Sequence, residues 1–521
     1  MFALQLFPYQ CACASMCVDA QTNHHLKFHT EIMTSTTSVS GAPVPSPAVG
    51  QRGSDGRLGL SLMVALVVGS IIGSGIFGLP QNMAAGAGAG AILIGWLVTG
   101  IGMLTLALLY QMMALRKPEL NNGVYAYARA LSGDYVGFNS AWGYWVSAWI
   151  GNVGYLVAAF SALGYFFPAF GEGNTTGAVV GASIVLWVVH ALVLRGIQGA
   201  AVLNAVVTIA KVVPLLLFII LVALAFNMNT FTLAFWGDAK LGSVLDQVKS
   251  TMLVTVWVFI GIEGASVYSA RARQRKDVGR ATVLGFVITL ALLMAVSLLS
   301  LGVLNQPTLA GLKNPSMAGV LEKAVGTWGA VLIYVALIIS VGGGFLAWTL
   351  LAAESLFTPA GEGVMPKKLA RQNPHGVPVN AMWLTSAMVQ IFLIVTLYSK
   401  ASYLALISLS TAMILLPYLF SAVYGVLLTA RGEGAPGTVR PLDLPITLVA
   451  TVYCVWLLYA AGPKYLLLSA LLYAPGALVY LLARREQAQP AFRSFEWAIF
   501  AGILALAVGA GYGLSVGKLA L

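Results

Sequence analysis

The sequence predicts an all-α polytopic membrane protein with 12–13 transmembrane helices. Three observations carry this. Of 521 residues, 59% are hydrophobic and only 9% charged, where a soluble domain carries about 25% charged residues. The charges that remain are sorted to one side. Two of the apolar stretches are interrupted by glycine at corresponding places.

Runs of about 20 apolar residues, the length that spans a bilayer, occur at 58–83, 88–113, 135–163, 176–194, 199–225, 249–269, 282–304, 327–358, 378–398, 401–428, 444–461, 464–483 and 496–516. With the N-terminus in the cytoplasm, all fifteen arginines fall on the cytoplasmic side, from Arg52 and Arg57 to Arg484, Arg485 and Arg493. The opposite loops hold only Lys240, Lys249, Lys313, Lys323, Lys400, Lys464 and Lys518. This positive-inside bias sets orientation and supports the segment count. An odd count puts the C-terminus outside, in the periplasm. The net charge of +11 is therefore a topology signal, and nucleic acid is not expected as a partner.

Residues 1–57 stand apart. "MTSTTSVSGAPVPSPAVGQRGSDG" is polar, small and proline-containing, and reads as a disordered cytoplasmic tail. Residues 1–32 lack the basic start and apolar core of a signal peptide, and Met33 offers a shorter start. Cys11, Cys13 and Cys17 with His24, His25 and His29 match no standard metal spacing, so no metal is expected. Cys454 is a lone cysteine in an apolar helix. The glycosylation sequon at Asn174 reads as chance. No nucleotide-binding, haem or other cofactor motif is present, and no constellation of His, Cys and Asp suggests an enzyme.

The first segment contains "GSGIFGLP", Gly73–Pro80, and the sixth contains "FIGIEGAS", with Gly261 and Gly264 around Glu263. Glycine and proline are poor residues for a helix interior, and unpaired backbone in lipid finds no water. The first segment enters from the cytoplasm and the sixth from outside. Two broken helices of opposite direction, five helices apart, mark a five-plus-five inverted-repeat transporter fold. The repeats are then 58–225 (helices 1–5) and 249–428 (helices 6–10), with 444–521 appended. Unwinding at Gly73, Ser74 and Gly75 frees amides suited to a carboxylate. Freed carbonyls from Trp257 to Ile260 suit an ammonium. Together they describe a site for an α-amino acid.

The strings "GSIIGSGIFGLP", "WVFIGIEGASV", "WIGNVGYL" and "AWTLLAAE" resemble the basic amino acid/polyamine antiporters of the amino acid–polyamine–organocation superfamily, over residues 58–483. The thirteenth segment and "TLLAAE" are most similar to bacterial arginine:ornithine antiporters. The resemblance implies a bacterial inner-membrane protein whose partners are small cationic amino acids and membrane lipid. It also implies pairing as a homodimer through the terminal helices.

The resemblance also implies residue roles. Ile71, Gly73, Ser74, Gly75 and Ile260 would line the backbone end of the substrate site. Trp348 would stack on the side-chain cation, as aromatic faces do, and Trp257 would cover it. Ser147, Asn152 and Ser410 would surround the cation's distal end. Glu263 would form an inner gate with Tyr144 and Tyr418; a carboxylate within a membrane helix is rare and usually functional. Lys211, mid-helix in "TIAKVVPLLLF", would replace the sodium ion of sodium-coupled relatives, or carry a proton. Glu354, towards the cytoplasmic end of the eighth segment, reads as an interfacial capping or pathway residue without an assigned role. The function expected is arginine-for-ornithine exchange, with proton-coupled symport or arginine/agmatine- or lysine-type antiport as alternatives.

Overall fold

The computed structural model describes residues 60–120, 123–196, 200–263, 275–399, 402–435 and 437–519. The N-terminal tail with its Cys/His group, Gly264 and most of the arginine-rich loop after the sixth segment lie outside these residues. The described chain is helical, with one isolated antiparallel bridge between Gln372 and Pro378.

The first segment forms two helices, α1 (Leu60–Ile71) and α2 (Leu79–Ala84), separated by a 3-10 turn at Ser74–Gly78. The next four segments form α3 (Ala89–Arg116), α5 (Asp134–Phe166), α6 (Thr176–Leu194) and α7 (Ala200–Leu224). A short amphipathic α4 (Gly123–Ser132) links α3 to α5, and α8 (Met228–Thr232) follows α7. The sixth segment begins as α9 (Val244–Trp257) and stops there. Then come α10 (Arg275–Val303), α11 (Gln306–Ala310), α12 (Ser316–Val325), α13 (Thr327–Gly361), α14 (Val379–Ser399) and α15 (Tyr403–Ala430). The chain ends with α16 (Asp443–Glu486) and α17 (Ser494–Ser515). Among the described residues, nine helices are long and apolar enough to cross a membrane.

Two connections stand out. The eleventh and twelfth segments form two helices, labelled together as α16, that join at a non-helical Gly462 (φ 72°, ψ 168°) before Pro463. At 1.5 Å per residue its 44 residues would cover about 66 Å, twice a bilayer core. The two expected spans therefore meet at this kink. The link between the seventh and eighth segments is itself helical, α11 and α12, and packs onto α2.

The centre of the molecule is α5, which packs along α13 and α15. Its Trp145 and Trp149 are each 1% exposed, and the Trp145 indole donates to Thr385 Oγ1 at 3.0 Å. Buried indoles need such acceptors. Where α5 begins, a polar cluster ties four elements, α4, α5, the end of α13 and α16. Arg129 bridges Asp134 (2.9 Å) and Glu362 (2.6 Å), and Arg484 reaches Asp134 at 3.0 Å. The Tyr125 hydroxyl donates to Glu362 at 3.1 Å. Burial and then the Glu362 charge raise its phenol well above the ordinary range, keeping it a donor.

Candidate functional site

The first break follows from its residues. α1 ends at Ile71, and Gly73 takes an extended conformation (φ −101°, ψ −164°) with no side chain capping the turn that follows. Helix restarts at Leu79 with Pro80 in the first turn of α2, where a missing N–H goes unmissed. The second break opens after Trp257. Residues 258–261 form turns, and Gly261 has φ +105°, a conformation that disfavours any Cβ.

The structure brings the two breaks together. A Cβ built on Gly75 would lie 2.7 Å from Trp257 Nε1 and 2.8 Å from its Cδ1. One on Gly151 of α5 would lie 3.0 Å from Trp257 Cη2. The indole of Trp257 thus lies between two glycines, one in the first break and one on α5. Gly73 is roomier: the closest side-chain atom to a Cβ there is the Tyr155 hydroxyl, at 3.6 Å. Ser74 is 4% exposed, and its buried hydroxyl lies near the Tyr155 and Tyr403 hydroxyls without a well-formed hydrogen bond among the described residues. Ile71 and Ile260 are buried beside the breaks.

Glu263 lies at the end of the described second break. Tyr144 on α5 donates to its Oε1 at 2.8 Å, and Tyr418 on α15 donates to Oε2 at 2.8 Å. The Gly261 amide also donates to Oε2, at 3.1 Å. One carboxylate therefore joins α5, α15 and the second break. The Tyr144 ring lies 6.5 Å from that of Trp348, so the acidic cluster and the aromatic wall are neighbours.

The remaining candidates divide. Ser410 Oγ donates to the Ser147 carbonyl at 2.7 Å and lies 3.3 Å from Ser147 Oγ, so these two residues meet across α5 and α15. Asn152 Nδ2 donates to Thr349 Oγ1 at 3.2 Å, while its buried Oδ1 has no hydrogen-bond partner. Lys211 stands apart from the rest, on α7, which packs along α13. Among the described residues it forms no ion pair.

Sequence reasoning missed Tyr155. Its ring lies 6.1 Å from Trp257, near Gly73, and a Cβ on Gly344 of α13 would touch it at 3.6 Å. It links both breaks and the eighth segment. Its only sequence signal is its place one turn after Gly151, which periodicity does not distinguish from packing. Asn314 was missed as well. Its amide donates to Gln81 at 3.1 Å and Asn82 at 3.3 Å, holding α2 under the helical link α11–α12.

The arrangement is a paired helix break with a buried hydroxyl, an aromatic wall and a bonded carboxylate, set in a many-span helical scaffold. Comparison with known proteins agrees with it. The amino acid permease family model matches residues 58–482. The arginine/ornithine antiporter of Pseudomonas aeruginosa is 56% identical over 475 residues, covering 89% of this chain and 98% of that protein. An L-lysine transport protein of Corynebacterium glutamicum is 45% identical, covering 88% of this chain and 95% of its own length. An arginine/agmatine antiporter of Chlamydia caviae is 44% identical, covering 82% and 90%. With the matched region running from the start of α1 to the end of the twelfth span, this chain belongs to the amino acid permease family, as a multi-pass membrane protein similar to the basic amino acid antiporters.

Proposed function

We propose that this protein exchanges cationic amino acids across the bacterial inner membrane, arginine for ornithine, by alternating access. The observation that carries the reading is the meeting of the two breaks at Gly75 and Trp257, beside the buried Ser74 hydroxyl. The amides at Gly73–Gly75 and this hydroxyl would take the substrate carboxylate. The carbonyls of the second break would take its ammonium, and Trp257 and Trp348 its side-chain cation. Residues 58–225 and 249–428 form the two repeats, with the arginine-bearing loops in the cytoplasm and the C-terminus outside. Lys211 takes the place of a coupling ion, so exchange is sodium-independent. The identity to the Pseudomonas arginine/ornithine antiporter supports the choice of substrates.

Obligate exchange has a physical basis. An empty site that closes buries unpaired backbone groups at about 1–3 kcal/mol each. A bound α-amino acid pairs both ends at once. Arginine and ornithine are both monocations at neutral pH, so one-for-one exchange moves no net charge. Rapid arginine uptake is expected into proteoliposomes loaded with ornithine or arginine. Near-background uptake is expected into empty or alanine-loaded vesicles, with no effect of sodium or membrane potential. Strong uptake into empty vesicles under an inward proton gradient would overturn exchange and favour proton-coupled symport, which the unpaired cation of Lys211 would serve.

Trp348 supplies a second test. A desolvated cation–aromatic contact contributes about 2 kcal/mol, roughly thirtyfold in affinity. Trp348→Ala is expected to weaken arginine binding by that factor and Trp348→Phe by much less, measured by titration of purified protein. Equal small losses would remove Trp348 from the substrate.

A further inference from the structure

Away from their ends, the thirteen apolar segments contain only three charged side chains: Lys211, Glu263 and Glu354. Glu263 and Lys211 have places in the proposed mechanism. Glu354 does not, and a carboxylate inside a membrane helix asks for one.

Glu354 lies on α13, six residues past Trp348 and seven before the helix ends at Gly361. At 1.5 Å per residue it is about 9 Å beyond the aromatic wall and about 10 Å short of the end. It therefore sits between the substrate site and the cytoplasm. Its Oε1 accepts a long bond from Thr358 Oγ1 at 3.4 Å. Its Oε2 is buried with no hydrogen-bond partner among the described residues, a costly arrangement for a carboxylate. A second acceptor lies beside it. Pro359 stands inside α13, and having no N–H it deprives the Ser355 carbonyl of its helical partner. The Ser355 hydroxyl already donates to the Ala352 carbonyl at 2.8 Å, leaving its lone pairs as acceptors. Carboxylate, carbonyl and hydroxyl at 354–355 make a set of acceptors matched only by the long Thr358 bond, which suits a cation.

We propose that Glu354 and the Ser355 carbonyl form a second cation station on the cytoplasmic side of the Glu263 cluster, which takes the side-chain ammonium or guanidinium of an amino acid moving to or from the inside. The inference rests on the exchange reading above. The station would draw the cation past the gate when Tyr144 and Tyr418 release Glu263. It would act on the inner face of the transport cycle and leave the outer face alone.

The test is kinetic and sided. Wild-type protein, Glu354→Gln and Glu354→Asp are reconstituted in one orientation. Radiolabelled arginine uptake is measured with internal ornithine varied, then with external arginine varied. Glu354→Gln is expected to raise the internal KM about tenfold and to change the external KM by less than about twofold, whereas Glu354→Asp raises the internal KM only about threefold. Unchanged internal KM, or equal rises on both faces, would overturn the station. If Glu354→Gln does not yield monodisperse protein, Glu354→Asp against wild type decides alone: an inner-face rise supports the station and no difference overturns it. Wild-type protein that shows no ornithine-dependent uptake would instead sink the exchange reading itself. Normal wild-type exchange with an insensitive Glu354→Gln would sink only the station.

Discussion

Gly75→Val is expected to insert and fold, yet to bind arginine at least about a hundredfold more weakly, beyond detection by titration. The crowding comes first from the protein itself. Even a single Cβ at this position meets Trp257 Nε1 at 2.7 Å, Trp257 Cδ1 at 2.8 Å and Val258 Cγ1 at 3.0 Å. The indole would have to leave its position against the first break, and the two breaks would separate. Valine adds two methyl groups to that clash and resists the unwound backbone. Gly73→Ala is the matched control. Its Cβ has 3.6 Å to the Tyr155 hydroxyl, and its φ of −101° is open to alanine. It is expected to keep binding within about fivefold. Normal binding by Gly75→Val would reduce the first break to a packing kink.

Arg116→Ala is expected to destabilise the protein by about 3–5 kcal/mol, the range for removing one partner of a buried ion pair. Arg116, at the end of α3, contacts Asp443 at 2.5 Å, with side-chain exposures of 1% and 8%. The guanidinium also donates to the Glu433 carbonyl at 3.0 Å, and the Arg440 amide donates to Asp443 at 3.1 Å. Without Arg116, Asp443 is left charged in a dry site. A lower melting temperature in detergent and a reduced monodisperse yield are the readouts. Replacing both partners by apolar residues, Arg116→Met with Asp443→Leu, is expected to recover most of the loss, because no charge is then stranded. A single variant that melts like wild type would show the pair to be water-accessible and weak.

Much of the fold was legible in the chain because the bilayer leaves few choices. Backbone in lipid must be internally paired, so length, hydropathy and arginine placement nearly specify the spans. The fourth segment, 176–194, is α6 residue for residue. Both breaks stand where glycine announces them, since glycine in a lipid-embedded helix has a visible cost. The contact of Glu263 with Tyr144 and Tyr418 was foreseen by resemblance, and the structure shows the hydrogen bonds that make it.

Other features were not legible, and each for a physical reason. The helices α11 and α12 are too short and polar to register as segments, and they owe their position to packing on α2.

By itself the sequence determined the class of molecule, the two helix breaks and the three charges within its apolar segments. These are local or summed properties, readable wherever the solvent is lipid. Only the tertiary structure decided which side chains meet: Trp257 against Gly75 and Gly151, Tyr155 between both breaks, and Glu354 with one oxygen unpartnered among the described residues. The contacts of Trp257 and Tyr155 join residues 82 to 182 positions apart. Periodicity sees a helix face but not its partner, so the site emerges only when α5, α13 and α15 close around the broken helices.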